Sequence, residues 1–158
     1  MIFIGIDTGV HTGLAIWDST QKMFLSIECC KIHDAMRVVE SAVRKDPTNV
    51  TVRFEDARQR TWFGAAGREQ LQGAGSIKRD CTIWEDFLTD LRAQFEMVPP
   101  KKNLTKMSSE SFKNITKWQQ RTNEHSRDAA MLVFAAEPVC YKTAPTYKPK
   151  IRKKYGTN

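Results

Sequence analysis

The sequence predicts an α/β domain built on a mixed sheet. Three observations lead there. The first 30 residues hold three apolar, β-branched stretches joined by short turns, the spacing becomes helical after Cys30, and a strand pattern returns at Val50. Short connections favour antiparallel neighbours, whereas a strand reached through a helix usually runs parallel to an earlier one.

The elements follow in order. Ile2–Ile6 is short, apolar and β-branched, Gly9 to Gly13 supplies turn chemistry, and Leu14–Trp17 resumes the strand pattern. Met23–Cys29 alternates loosely as a third strand. Ala35, Val38, Val39, Ala42 and Val43 then fall at helical spacing, with Asp34 at the start and Asp46-Pro47 as the stop. Val50–Phe54 is a fourth strand ending in Glu55-Asp56. From Ala57 to Gly75 runs a basic, glycine-containing stretch with no assigned element.

Ile83, Trp84, Phe87, Leu88, Leu91 and Phe95 make a helical apolar stripe, and Met97-Val98 before Pro99-Pro100 reads as a short final strand. Phe112–Trp118 reads as a short helix. Glu124–Glu137 is the last helix, with Ala129, Leu132, Val133 and Ala136 as its apolar face, Thr122 or Asn123 as cap and Pro138 as stop. Residues 1–141 therefore form the domain. Residues 142–158, with six Lys or Arg, no acid and two prolines, form a basic, flexible tail.

The chain has 158 residues, with 25 Lys and Arg against 18 Asp and Glu, a net charge of +7. That length suits one domain. The charge favours a polyanionic partner, nucleic acid ahead of membrane, although charge kept for solubility alone gives the same total. No stretch approaches the run of about 20 apolar residues that a membrane-spanning helix needs. The apolar start lacks a basic leader and is cut short by Asp7, which argues against export. Cys29, Cys30, Cys81 and Cys140 show neither disulfide-framework nor zinc spacing, so reduced thiols in a cytoplasm are expected.

Three acids stand where a core-building pattern has little use for them. Asp7 ends the first strand and Glu55 ends the fourth. If those strands are parallel neighbours, both side chains emerge at the sheet edge where ligands of open α/β sheets bind. Asp128 lies on the last helix, with His125 three residues earlier on the same face and Glu124 as a rival fourth ligand. Gathered carboxylates repel unless a cation neutralises them, and oxygen-rich ligation suits Mg²⁺ or Mn²⁺. Two such ions about 4 Å apart can drive in-line displacement at a phosphodiester. Each acid alone has an ordinary explanation: Asp7-Thr8-Gly9 is common turn chemistry, Glu55 is a strand end, Asp128 is a solvated helix residue, and Glu124 suits a helix N-terminus. The combination is the more specific signal.

Ile4-Gly5-Ile6-Asp7-Thr8-Gly9, then Thr12-Gly13-Leu14-Ala15, a strand ending in Glu55, and His125-x-x-Asp128-Ala129 together resemble the RuvC-like Holliday-junction resolvases of the RNase H-like superfamily. The likeness runs from Met1 to about Glu137, and the segments at Gly73–Arg79 and Lys106–Trp118 look like phage-type members. It implies a five-stranded mixed sheet, antiparallel in its first three strands and then parallel, flanked by helices. It also implies two divalent ions, a homodimer, and paired incisions in four-way DNA junctions. Asp7, Glu55 and Asp128 match the family's acids. Family members carry either Asp or His three residues before the last acid, and this chain has His125, so a nitrogen ligand or base replaces a fourth carboxylate. A phage-encoded protein acting in a bacterial cytoplasm is the corresponding expectation.

For DNA contact the candidates are Arg58, Arg60, Arg68, Lys78 and Arg79, with Lys101 and Lys102 further on. Trp62 and Phe63 can wedge into a junction or simply pack. Lys106 is a candidate beside the scissile phosphate or a solvated loop lysine. A two-fold dimer would present two equivalent sites to a junction with two equivalent strands. Two other functions use the same residues: an RNase H-type or flap nuclease, and a non-catalytic protein that binds branched DNA.

Overall fold

Strands β1 (Ile2–Asp7), β2 (His11–Asp18) and β3 (Met23–Lys31) form an antiparallel meander, as the short turns require. Helix α1 (Ile32–Lys45) then carries the chain to β4 (Val50–Glu55), which pairs parallel with β1. A 3₁₀ turn over Ala57–Gln59 and helix α2 (Arg68–Asp90) lead to β5 (Gln94–Val98), parallel to β4. Helices α3 (Ser109–Thr116) and α4 (Glu124–Val133) complete the order, and the sheet runs β3-β2-β1-β4-β5. This computed structural model describes residues 1–59, 68–100 and 106–138, the side chains of 68–74 excepted. The expected boundary at 141, the basic tail, Cys140, Arg60, Trp62, Phe63, Lys101 and Lys102 lie outside the described residues.

Period-two alternation divides the sheet's side chains between two cores. Ile4, Ile6, Val50, Val52 and Phe54 face α1 and α2, where they meet Ala35, Val39, Val43, Cys81, Trp84 and Leu88. Phe3, Ala15, Trp17, Phe24 and Ile27 face α3 and α4, where Phe112, Ala129, Ala130 and Val133 close the second core. Asp7 has the parity of Phe3, and Glu55 that of Arg53, whose guanidinium lies 5.1 Å from the centre of the Phe3 ring. Both acids therefore belong to the α4 face of the sheet, at the C-terminal ends of adjacent parallel strands.

Two glycines bring α4 onto that face. A Cβ on Gly5 would stand 2.1 Å from the carbonyl oxygen of Ala129, and one on Gly13 would stand 2.0 Å from that of His125. Real side chains cannot approach backbone so closely, so only glycine in β1 and β2 admits the helix at this depth. Asn123 caps α4: its side chain accepts from Ser126 N–H at 2.9 Å while Ser126 Oγ accepts from Asn123 N–H at 3.0 Å.

Four expectations need correction. The stretch up to Gly75 is not wholly without an element, because α2 begins at Arg68 and includes Gly73 and Gly75. Each glycine costs a helix about 1 kcal/mol relative to alanine, and burial of Cys81, Trp84 and Leu88 further along outweighs that. Phe95 continues the helical spacing but lies in β5, since the chain leaves α2 before Arg92 (φ +55°) and Phe95 joins the same core from the sheet, stacked on Phe54. Ile83, expected to face inward as part of the apolar stripe, is 41% exposed. Helix α4 ends at Val133 rather than near Pro138, because Phe134 turns out of it to set its ring against Trp17 and Phe24. Among the described residues no helix is long and apolar enough to cross a membrane, and Cys29, Cys30 and Cys81 are free thiols.

Candidate functional site

The edge of the β1–β4 pair and the first turns of α4 bring the singled-out residues together. His125 Nδ1 lies 2.8 Å from Asp7 Oδ2, with both side chains partly buried. Asp7 has its carboxyl pushed up to about 6, first by burial, then by the neighbouring charges of Asp128 and Glu55, and His125 works in the opposite direction. Glu55 and Asp128 are thus both close enough to oppose ionisation of Asp7. Burial also raises Asp128, with Lys106, His125 and Arg127 restraining the rise.

Lys106 sits at the rim of this cluster. Its Nζ donates to Glu124 Oε2 at 2.8 Å, and Asp128 and Asp7 also favour its charge. The pairing holds Glu124 below its usual carboxylate range. Arg127 donates to the carbonyls of Met107 and Thr122, so the segment carrying Lys106 is tied to α4. Glu124 is therefore a partner of Lys106, while His125 is the residue that reaches Asp7.

Among the described residues no three His, Cys, Asp or Glu side chains stand in an arrangement that could already hold a metal ion. The donor chemistry nevertheless fits a hard divalent cation. Asp7 is buried and faces the charges of Asp128 and Glu55, from α4 and β4, and both raise its affinity for a proton, which marks a site of excess negative charge. A divalent ion relieves that repulsion with oxygen ligands it prefers.

The basic candidates divide. Lys78 and Arg79 lie midway along α2, Lys78 half-buried and Arg79 exposed, beside Asp80 at 3.3 Å. Arg68 begins α2, and its side chain lies outside the described residues. Arg58 is held within the fold: its guanidinium bonds Asp56 and Glu85, each at 2.6 Å.

Sequence reasoning overlooked two kinds of residue here. Gly5 and Gly13 matter through the helix they admit, and the signal for them was glycine inside an apolar strand facing small residues on a helix. Cys81, fully buried on α2, lies 3.4 Å from Thr8 Oγ1 and donates to the Glu55 carbonyl at 3.5 Å. It joins the residue after the first acid to the backbone of the second, and a lone apolar-looking cysteine carried no signal of this.

No protein-family model matches the chain, and no curated protein matches it. Among solved structures it is similar to T. thermophilus RuvC in complex with a Holliday junction substrate. The TM-score is 0.56 at 16% sequence identity, over 85% of this chain and 92% of that one. It also matches a Fowlpox virus resolvase in complex with substrate Holliday junction DNA, with a TM-score of 0.37 at 14% identity, over 84% of this chain and 87% of that one. The likeness to RuvC is one of fold, and it agrees with the RNase H-like, five-stranded mixed sheet seen here.

Proposed function

We propose that this chain is a metal-dependent, structure-selective endonuclease that hydrolyses the phosphodiester backbone of branched DNA, four-way junctions in particular. The observation that carries the reading is the Asp7–His125 contact, which joins the end of β1 to α4, with Glu55 and Asp128 near enough for their charges to act on Asp7. The fold shared with a protein whose solved complex contains a Holliday junction supports the choice of substrate.

Asp7, Glu55 and Asp128 would hold two Mg²⁺ ions, with Mn²⁺ able to substitute, and His125 would either ligate an ion or, left unligated, act as a base. When bound, such ions lower the pKa of a water and stabilise the leaving oxygen of an in-line displacement. The protein's own contribution begins with Asp7. By accepting from Nδ1–H of His125 it fixes the tautomer that leaves Nε2 unprotonated, and Nε2 can then take a proton from the attacking water. The water oxygen bonds to phosphorus as the bond to the leaving oxygen breaks. Lys106, tethered by Glu124, places a cation beside the same carboxylates and can meet a phosphate oxygen.

Lys78 and Arg79 on α2, with Arg60, Arg68, Lys101, Lys102 and the tail, supply the cationic surface for the arms of the junction. Two copies related by a two-fold axis would set two sites on the two equivalent strands. The net charge of +7 predicts binding that weakens steeply with salt.

The test is incubation of the purified protein and its Asp7→Asn variant with labelled four-way junction, flap, linear duplex and RNA–DNA hybrid in Mg²⁺. Scission of the junction ahead of the other substrates, lost in the variant, is expected. Preference for hybrid or flap makes the protein a different nuclease of the same fold. Binding without scission makes it an architectural protein, and cleavage unchanged by Asp7→Asn removes the mechanism.

A further inference from the structure

The chain leaves β4 at Glu55 through a tightly held exit. Asp56 N–H donates to the Val98 carbonyl at 2.8 Å, which closes the exit against β5, and the Asp56 side chain is buried. Arg58, two residues on, wraps back over it. Nε donates to Asp56 Oδ1 at 2.6 Å, Nη1 to Glu85 Oε2 at 2.6 Å and to Thr82 Oγ1 at 3.4 Å, and Nη2 reaches Met97 Sδ at 3.2 Å. One planar cation thus fastens the end of β4 to a single turn of α2 and to β5.

The next residue up that turn is Cys81, which bonds the Glu55 carbonyl and Thr8. Over residues 81–85, α2 therefore grips the exits of both strands that carry acids. A phosphate reaching Arg58 would have to displace two carboxylates already at 2.6 Å.

We propose that Arg58, bridging Asp56 and Glu85, is a positioning residue that sets Glu55 against Asp7 for divalent-ion binding, and is not a DNA contact. The proposal rests on the metal-dependent nuclease reading above. Carboxylates that share an ion must be held to within about 0.5 Å, and loss of a supporting partner typically costs 10–100-fold in metal affinity.

Three measurements on the full chain test this. Mn²⁺ alone is titrated calorimetrically into wild type, Arg58→Gln, Arg58→Lys and Glu85→Gln. Four-way junction affinity is measured in EDTA across a salt series, and folding is checked by thermal melts. Arg58→Gln is expected to weaken Mn²⁺ binding about 10-fold, with Glu85→Gln shifting it the same way and Arg58→Lys recovering part of the loss. Junction affinity and its salt slope are expected to stay at the wild-type values.

Unchanged Mn²⁺ affinity overturns the proposal. So does lower junction affinity in EDTA with a salt slope shallower by about 1, the signature of a lost phosphate contact. If Arg58→Gln fails to fold, Glu85→Gln, which keeps the buried Asp56–Arg58 pair, decides by the same criteria. Wild-type protein that binds no Mn²⁺ overturns the nuclease reading itself, an outcome distinct from variants that bind as wild type does.

Discussion

Nδ1 of His125 lies 2.8 Å from Oδ2 of Asp7, a contact between residues 118 positions apart that joins the last helix to the first strand. In the proposed mechanism this contact orients the imidazole so that Nε2 accepts the proton of the attacking water. His125→Ala is expected to lower the rate of junction cleavage by about 10²–10⁴-fold while leaving junction binding in EDTA intact. Single-turnover cleavage and a gel-shift titration check the two halves separately.

Gly13→Ala should be severe. The added methyl would stand 2.0 Å from the His125 carbonyl oxygen, so α4 must rise off the sheet or β2 must bend. The expected loss is about 3 kcal/mol or more in urea denaturation, with cleavage falling further than stability because His125 and Asp128 move with the helix.

Asp7 gives the metal-free protein a pH dependence of definite sign. Its carboxyl is raised from 3.8 to about 6, so the folded state holds the proton more tightly than the unfolded state does. Stability from this group is full below about pH 4, declines as pH rises through 6, and is absent above. In EDTA, Asp7→Asn should therefore be the more stable protein at pH 7.5, by about 1–3 kcal/mol, and should lose that advantage below pH 4. Urea melts at pH 3.5, 5 and 7.5 measure it, and a constant difference across that range contradicts it.

Added Mn²⁺ should narrow or close that difference. An ion bound only by the folded state at 100 times its Kd stabilises by about 2.7 kcal/mol. Wild type should gain a higher Tm on addition of Mn²⁺ and lose it with EDTA. Asp7→Asn should respond to neither.

Asn123→Ala removes the side-chain half of the α4 capping box, a cost of about 1 kcal/mol. The expected result is a chain that still folds and cleaves at 25 °C with a lower Tm, read by circular dichroism and the junction assay together.

Much of the architecture could be read from periodicity. The antiparallel meander, the helix to β4 and the parallel return all follow from patterns at Ile2–Ile6, Ala35–Val43 and Val50–Phe54, because burial on one face imposes those spacings. What escaped was set by long-range packing. Phe95 keeps step with Leu88 and Leu91 along a helix yet sits in a strand, since both positions fill the same core. Gly73 and Gly75 resist helix by propensity and lie in one all the same.

The candidate site was legible as residue types at strand ends, namely Asp7, Glu55 and Asp128. Its assembly depends on Gly5, Gly13 and Cys81, whose effect is exerted across the sheet. Arg58 shows the limit from the other side. Charge and a neighbouring glycine-rich stretch suggest a phosphate contact, and nothing in the sequence points to its ion-pair partner Glu85, 27 positions away.

The central claim is that the acids of β1, β4 and α4 share divalent ions. Anomalous diffraction from a crystal soaked in Mn²⁺ tests it most directly. Anomalous peaks are expected within ligand distance of Asp7, bounded by Glu55 and Asp128. Peaks only elsewhere on the protein, or none at an occupancy-saturating Mn²⁺ concentration, would contradict it.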